Sequence, residues 1–206
     1  MKKWNVIILS SLLILGLAFG LSLSFARTGE AKIATGPSKY FPLTVGSYWI
    51  YEGTGNEFAS FKRTVVYAQG NRGQIEEAGG DISGSVFLTN QCAVTRIYFS
   101  PEQYQRKNLL NATPNDNTII INTPLSKGTI WYTREGTRTI TSLNTRVETP
   151  AGQFKNCLAV KLQGDGYTIT EYFAPRIGMV KRVYRSPGND NEITSALKKY
   201  LIKKQS

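Results

Sequence analysis

Short strand-like segments separated by tight turns run through most of this 206-residue chain. Eight segments between residues 61 and 185 are rich in Val, Ile, Thr, Tyr and Phe, which pack well on a pleated sheet. Runs of Gly, Pro, Asn and Asp separate them and supply the backbone angles that turns need. Segment 191–204 fits both a helix and a strand, and its lysines favour a final strand. The sequence therefore predicts an all-β fold with a single curved antiparallel sheet or open half-barrel.

The N-terminal residues have the pattern of a secretory signal peptide. Lys2 and Lys3 precede residues 6–25, which are only apolar residues, Gly and Ser, and the small residues Ser24 and Ala26 fit a signal-peptidase site. We expect cleavage near Ala26 and an extracytoplasmic location, either secreted or envelope-associated. The length of the apolar run also allows an uncleaved N-terminal anchor.

The predicted mature chain has the length of one domain. Residues 1–26 are predicted to be a helical signal peptide, residues 27–39 a linker, and residues 40–206 a single β domain. Cleavage would remove Lys2 and Lys3 and lower the formal net charge from +11 to +9. This positive charge favours contact with anionic polymers or membrane surfaces, or it only keeps the domain soluble.

A motif of the form P-L-x-x-G-x-x-W occurs twice, at residues 42–49 and 124–131. In each copy the Pro ends the preceding segment, the Gly permits a bend, and the Trp stands on the first strand of a new run of hairpins. The repeat predicts two similar halves. Its aromatic residues either fill the core or line an apolar cavity that holds a lipid or another apolar ligand. The candidate cavity residues are Trp49, Tyr51, Trp131 and Tyr132.

The chain contains no histidine. This removes the commonest general base and metal ligand, and with them any Ser-His-Asp or Cys-His site. We therefore expect no catalytic residues, no metal site and no cofactor. The enzymatic alternative is a hydrolase that uses Ser or carboxylates, which would bring Glu135 close to Glu148 or Glu171. Nucleic acid is not an expected partner, because the chain has no recognition helix or RNA-binding motif.

The two cysteines, Cys92 and Cys157, do not have the spacing of a zinc-ligand pair. In an exported protein they can form one disulfide, or they can stay as buried free thiols. The alternation of residues 154–162 places Cys157 on the wetter face of its strand, which favours the disulfide.

Basic residues are concentrated near the C-terminus. If the strands there pair as a hairpin, these side chains form a basic face that contacts lipid headgroups or an anionic envelope polymer. Otherwise the lysines protect a sheet edge. The candidate contact residues are Arg176, Lys181, Arg182, Arg185, Lys198 and Lys199.

Three stretches resemble a group of uncharacterised bacterial secreted proteins. They are "YFPLTVGSYWIY" at residues 40–51, "TPAGQFKNCLAVK" at 149–161 and "EYFAPRIGMVKRVY" at 171–184. The matching residues of the last two are Thr149, Pro150, Ala151, Gly152, Phe154, Tyr172, Phe173, Ala174, Pro175, Gly178, Val180 and Lys181. Arg176 stands where Gly is usual and Met179 where Leu is common, and the first departure leaves the conformation of that turn open.

The resemblance implies the curved antiparallel half-barrel of the lipoprotein carriers LolA and LolB, which wraps a sheet around an apolar cavity. It implies no catalytic residues, and we do not transfer the carrier activity. We expect a non-enzymatic extracytoplasmic binding or envelope-associated protein with an apolar or lipid ligand. The alternative is a structural or adhesive cell-surface protein that contacts anionic polymers through its basic face. The oligomeric state is left open.

Overall fold

Antiparallel pairing between strands organises the part of the chain that is described. The computed structural model describes residues 36–103, 105–188 and 192–204, all within one compact unit. They form twelve strands and two short 3-10 helices, Gly36–Tyr40 and Glu57–Ala59. The strands are β1 (Tyr48–Thr54), β2 (Phe61–Gln69), β3 (Arg72–Gly79), β4 (Asp81–Thr89), β5 (Ala93–Ser100), β6 (Thr118–Asn122), β7 (Ile130–Thr133), β8 (Gly136–Thr149), β9 (Gly152–Gly164), β10 (Tyr167–Ala174), β11 (Gly178–Arg185) and β12 (Ile193–Leu201). The predicted signal peptide, residues 1–26, lies outside the described residues.

One antiparallel sheet contains all twelve strands, in the order β6-β5-β4-β3-β2-β1-β12-β11-β10-β9-β8-β7. The first six strands form one meander and the last six form a second. Pairing of β1 with β12 joins the two meanders. The predicted all-β antiparallel sheet is therefore confirmed, and the C-terminal segment forms a final strand as predicted. Among the described residues we find no helix with the length and hydropathy of a membrane span.

The sheet curls further than a half-barrel and brings its edge strands β6 and β7 close together. Trp131 on β7 donates its indole N–H to the backbone carbonyl of Ile119 on β6 at 2.9 Å. The two edges do not otherwise pair as neighbouring strands of the sheet. The result is a nearly closed barrel with one open joint, which we call the β6–β7 seam. A cavity of about 620 Å³ lies at this seam between residues 114–118 and 132–134.

The repeated motif builds the same turn in both halves. The amide of Gly46 donates to the carbonyl of Val65 on β2 at 2.9 Å, and the amide of Gly128 donates to the carbonyl of Ile140 on β8 at 2.8 Å. In each copy the carbonyl of the residue after the Gly accepts the amide of that same β2 or β8 residue, at 2.9 Å. The prediction of two similar halves is confirmed at the start of each meander.

The segment 36–43, which we call the plug, closes the end of the barrel that carries the β10–β11 turn. Phe41 is buried and its ring packs on Phe87 of β4, with 4.8 Å between the ring centroids. The carbonyl of Lys39 accepts the amide of Arg176 at 2.6 Å. The last four residues of the predicted linker therefore belong to the folded domain.

The turn at Arg176, where the secreted proteins that the sequence resembles usually have Gly, has a backbone conformation typical of glycine. Arg176 has a φ of 64°, in the left-handed region that non-glycine residues seldom adopt. The hydrogen bond from its backbone N–H to the carbonyl of Lys39 holds this turn against the plug. The arginine is thus accommodated at the position where Gly is usual.

A bulge in β9 explains why the prediction for the cysteines was wrong. Asn156 has a φ of 55°, and the pairing of β8 with β9 changes register around it. The alternation therefore changes phase, and both Cys157 and Leu158 are fully buried. Cys92 is exposed in the β4–β5 turn, and both cysteines are free thiols. A buried and an exposed thiol contradict the predicted disulfide.

Substituting the motif glycines tests the repeated turn. Gly46 and Gly128 have φ values of 82° and 91°, which strain any residue with a Cβ. A new Cβ has open space at Gly128 and only ordinary contact with the Lys203 side chain at Gly46, so the cost is in the backbone. We expect Gly46→Ala and Gly128→Ala each to lower the free energy of unfolding by about 1–2 kcal/mol, measured by urea denaturation.

The matched control for this test is Lys127→Ala, an exposed neighbour in the second turn, whose effect should stay within about 0.5 kcal/mol. A loss at only one of the two glycines would contradict an equivalent role for the two turns.

Candidate functional site

The first pair of predicted cavity residues belongs to the packed core. Trp49 and Tyr51 on β1 are each 3% exposed. The Trp49 indole N–H donates to the carbonyl of Ile177 at 2.6 Å, and the Tyr51 hydroxyl donates to the carbonyl of Met179 at 2.8 Å. The pocket beside them has about 20 Å³, which is room for about one water molecule. The pocket at these two residues is therefore too small for an apolar ligand.

The second pair of predicted cavity residues lies at the β6–β7 seam. Trp131 is buried and bonded to β6, as described above. Tyr132 is 82% exposed and borders the seam cavity. The structure therefore does not bring the four predicted residues together around one apolar cavity.

A different cavity, with charged walls, lies inside the barrel. Its volume is about 360 Å³, and we call it the arginine cavity. The charged lining residues are Arg63 on β2, Arg96 on β5, Glu135 in the β7–β8 turn, Arg138 on β8, Glu171 on β10 and Arg182 on β11. The other lining residues are Phe41, Phe87, Ile120, Leu162, Tyr167, Ile169 and Phe173. Sequence reasoning identified this cavity neither as a whole nor through its arginine cluster.

Glu171 stands at the centre of an ion-pair network in this cavity. One carboxylate oxygen accepts a hydrogen bond from Arg138 at 3.0 Å, and the other accepts two from Arg182 at 3.2 and 3.0 Å. Burial by itself raises the pKa of Glu171. The combined effect of the positive charges of Arg182, Arg138 and Arg63 is larger than that of burial and lowers the pKa to about 2. Glu171 is therefore ionised at neutral pH in spite of its burial.

A second glutamate extends the network to the seam. Glu135 accepts hydrogen bonds from Arg96 at 3.1 Å and from Arg138 at 3.4 Å. Arg96 also donates to Asp116, which precedes β6. Because Glu135 follows β7 and Asp116 precedes β6, Arg96 links the two sides of the β6–β7 seam.

Two of the three carboxylates expected of a hydrolase, Glu135 and Glu171, do lie close together, but both form ion pairs with arginine. Glu135 and Glu171 line the same cavity, and Arg138 donates to both. A general acid needs a raised pKa, whereas the pKa of Glu171 is lowered. Glu148 is exposed and bonds to Gln153 in the β8–β9 turn. The arrangement favours binding over acid–base chemistry.

The structure places one residue of the predicted basic face inside the barrel. Its six residues are Arg176, Lys181, Arg182, Arg185, Lys198 and Lys199. Successive residues of a strand point to opposite sides, so Arg182 enters the arginine cavity while Lys181 does not. Arg185 and Lys198 each pair with an exposed glutamate, Glu192 and Glu52. Arg182 therefore does not belong to an outer basic face, and the role of the other five residues stays a prediction.

Comparison with known proteins adds little to this geometry. No protein-family model matches the chain. No curated protein matches it. Two solved structures are similar: a candidate lipoprotein from Parabacteroides distasonis, at 15% identity and a TM-score of 0.49, and a candidate exported protein with a YmcC-like fold from Bacteroides fragilis, at 13% and 0.48. Each alignment covers 79% of this chain and 98% of the other. At these values neither likeness supports a functional argument.

Replacing Glu171 by Gln tests the ion-pair network. At pH 7 the change leaves Arg138 and Arg182 without their shared carboxylate, and we expect the free energy of unfolding to fall by about 3–5 kcal/mol. The pKa of Glu171 is about 2 in the folded protein against an ordinary value of 4.5. The stabilisation is therefore complete above pH 4.5 and is lost as the pH falls towards 2. Urea denaturation across this range should show the wild type and Glu171→Gln converging in stability.

Glu192→Gln provides the control, because it breaks an exposed pair with Arg185. Its effect should stay below about 1 kcal/mol. A difference between wild type and Glu171→Gln that stays constant down to pH 2 would contradict the assigned ionisation.

Proposed function

We propose that this protein is an exported, non-enzymatic binding protein of the cell envelope that holds a small molecule in the arginine cavity. The observation that carries the proposal is the cavity itself. Its volume of about 360 Å³ falls in the range of small-molecule sites, roughly 300–1,000 Å³. Such sites combine an apolar lining with a few convergent polar groups, and this cavity has both.

The sequence supports the proposed location. Positively charged residues, an apolar run and a small-residue cleavage site follow one another at the N-terminus, as in exported proteins. The absence of histidine and the lowered pKa of Glu171 favour binding over catalysis. The alternative, a structural or adhesive surface protein, has weaker support because its predicted basic face is divided between the interior and the surface.

The cavity also changes the ligand that we expect. The cavity lining is charged as well as apolar, so a purely apolar lipid would leave the unbonded guanidinium nitrogens without acceptors. A small molecule that carries polar groups fits the described lining better.

Native mass spectrometry of the protein purified from the envelope of its own cells tests this function. We expect an additional mass under native conditions that is released on denaturation. Ile169 lines the cavity, so Ile169→Trp should fill it and lower the bound fraction at least about tenfold by overlap with the ligand.

The matched control is Ile130→Trp on β7, whose side chain is 56% exposed and outside the cavity. Thermal unfolding shows whether both variants remain folded. A bare wild-type chain, or a ligand retained equally by a folded Ile169→Trp, would overturn the proposed site.

A further inference from the structure

In the arginine cavity, the polar groups that lack a hydrogen-bond partner are donors, the N–H groups of the arginines. Arg63, Arg96, Arg138 and Arg182 each donate through two of their three guanidinium nitrogens to acceptors among the described residues. Both oxygens of Glu171 and both oxygens of Glu135 already accept. One nitrogen of each arginine therefore has no acceptor among the described residues.

The four unbonded nitrogens differ in access. The Arg138 Nε is buried with no hydrogen-bond partner among the described residues, so a ligand in the cavity does not touch it. The free nitrogens of Arg63, Arg96 and Arg182 keep accessible surface, and a ligand can hydrogen-bond to them. Carboxylates and phosphates match the planar guanidinium better than other acceptors do.

The formal charges of the lining and its ion-pair partners balance, so direct hydrogen bonds and not net charge decide whether an anion binds. The wall carries four arginines against Glu135 and Glu171, while Glu77 and Asp116 balance Arg63 and Arg96 from outside the lining. The lowered pKa of Glu171 shows that these arginines stabilise a buried carboxylate in its ionised form. Glu135 and Glu171 repel a second anion, so an anionic group must contact the free guanidinium nitrogens directly.

The rest of the wall is apolar. Phe87, Phe173 and Leu162 are buried and line the cavity together with Phe41 of the plug. An apolar body of the ligand would remove this surface from water, at about 25 cal/mol per Å². The cavity therefore combines a donor-rich region and an apolar region in one small volume.

We infer that the arginine cavity binds the anionic group, a carboxylate or a phosphate, of a small amphiphilic molecule; this inference rests on the proposed function. The free nitrogens of Arg63, Arg96 and Arg182 recognise the anion. The phenylalanine-lined part holds the apolar body.

Displacement of the fluorescent probe 8-anilinonaphthalene-1-sulfonate tests the inference. Four competitors share one chain length: octanoate, octyl phosphate, octanol and octylammonium. We expect octanoate or octyl phosphate to displace the probe, and octanol and octylammonium to compete at least about tenfold more weakly. The order of octanoate and octyl phosphate identifies the preferred anion.

Arg96→Lys keeps the charge and removes the free guanidinium nitrogen. We expect it to weaken the binding of the preferred anion about tenfold and to leave the affinity for octanol unchanged. Arg185→Lys, at an exposed pair on β11, is the matched control and should change neither affinity. If Arg96→Lys does not fold, Arg182→Lys tests the same requirement, because Arg182 also has one free nitrogen.

Two outcomes would overturn the inference. Octanol that competes as well as both anions would show an apolar site without anion recognition. Failure of all four competitors to displace the probe would also overturn the inference. The native mass spectrum would then decide separately whether the protein holds any ligand. A bound mass there would leave the proposed function standing without this ligand class.

Discussion

The width of a twelve-stranded barrel governs what this chain must place inside it. About eight strands enclose a space that side chains can fill, and wider barrels leave room. At one end the plug fills the space by packing Phe41 on Phe87. Further along, long arginine side chains reach inward around Glu171 and are held by ion pairs. This network leaves about 360 Å³ free. The ion-paired arginines that occupy the interior therefore also form the walls of the candidate site.

The two meanders are equivalent in sequence motif but not in their surroundings. The β1–β12 joint and the β6–β7 seam lie six strands apart around the barrel, so a rotation of the barrel by six strands would superimpose one on the other. The first joint is a ladder from Tyr48 to Thr54, whereas Trp131 and the ion pairs of Arg96 link the second. Edge strands as short as β6 and β7 also limit pairing with other chains. The seam therefore borders the cavity through Arg96 and Glu135 and is the weaker joint of the barrel.

Local patterns predicted the elements well and their contacts poorly. Strand segments, the final strand and the repeated turn could be predicted because each depends on neighbours in sequence. Asn156 introduced a bulge that no alternation pattern shows, and it buried Cys157. The arginines of the cavity stand on four different strands, and only the pairing order brings them together. The stretches that resemble the secreted-protein group include the β8–β9 and β10–β11 turns, where Arg176 contacts the plug, and the resemblance itself gave no indication of the cavity.

The ionisation of Glu171 tests the central claim most directly, because the network and the cavity both depend on it. The measurement is a carbon-13 NMR titration of its side-chain carboxyl group, assigned by comparison with Glu171→Gln. The structure predicts a pKa of about 2. A pKa at or above the ordinary value of 4.5 would show a carboxyl group buried without its arginines and would contradict the account.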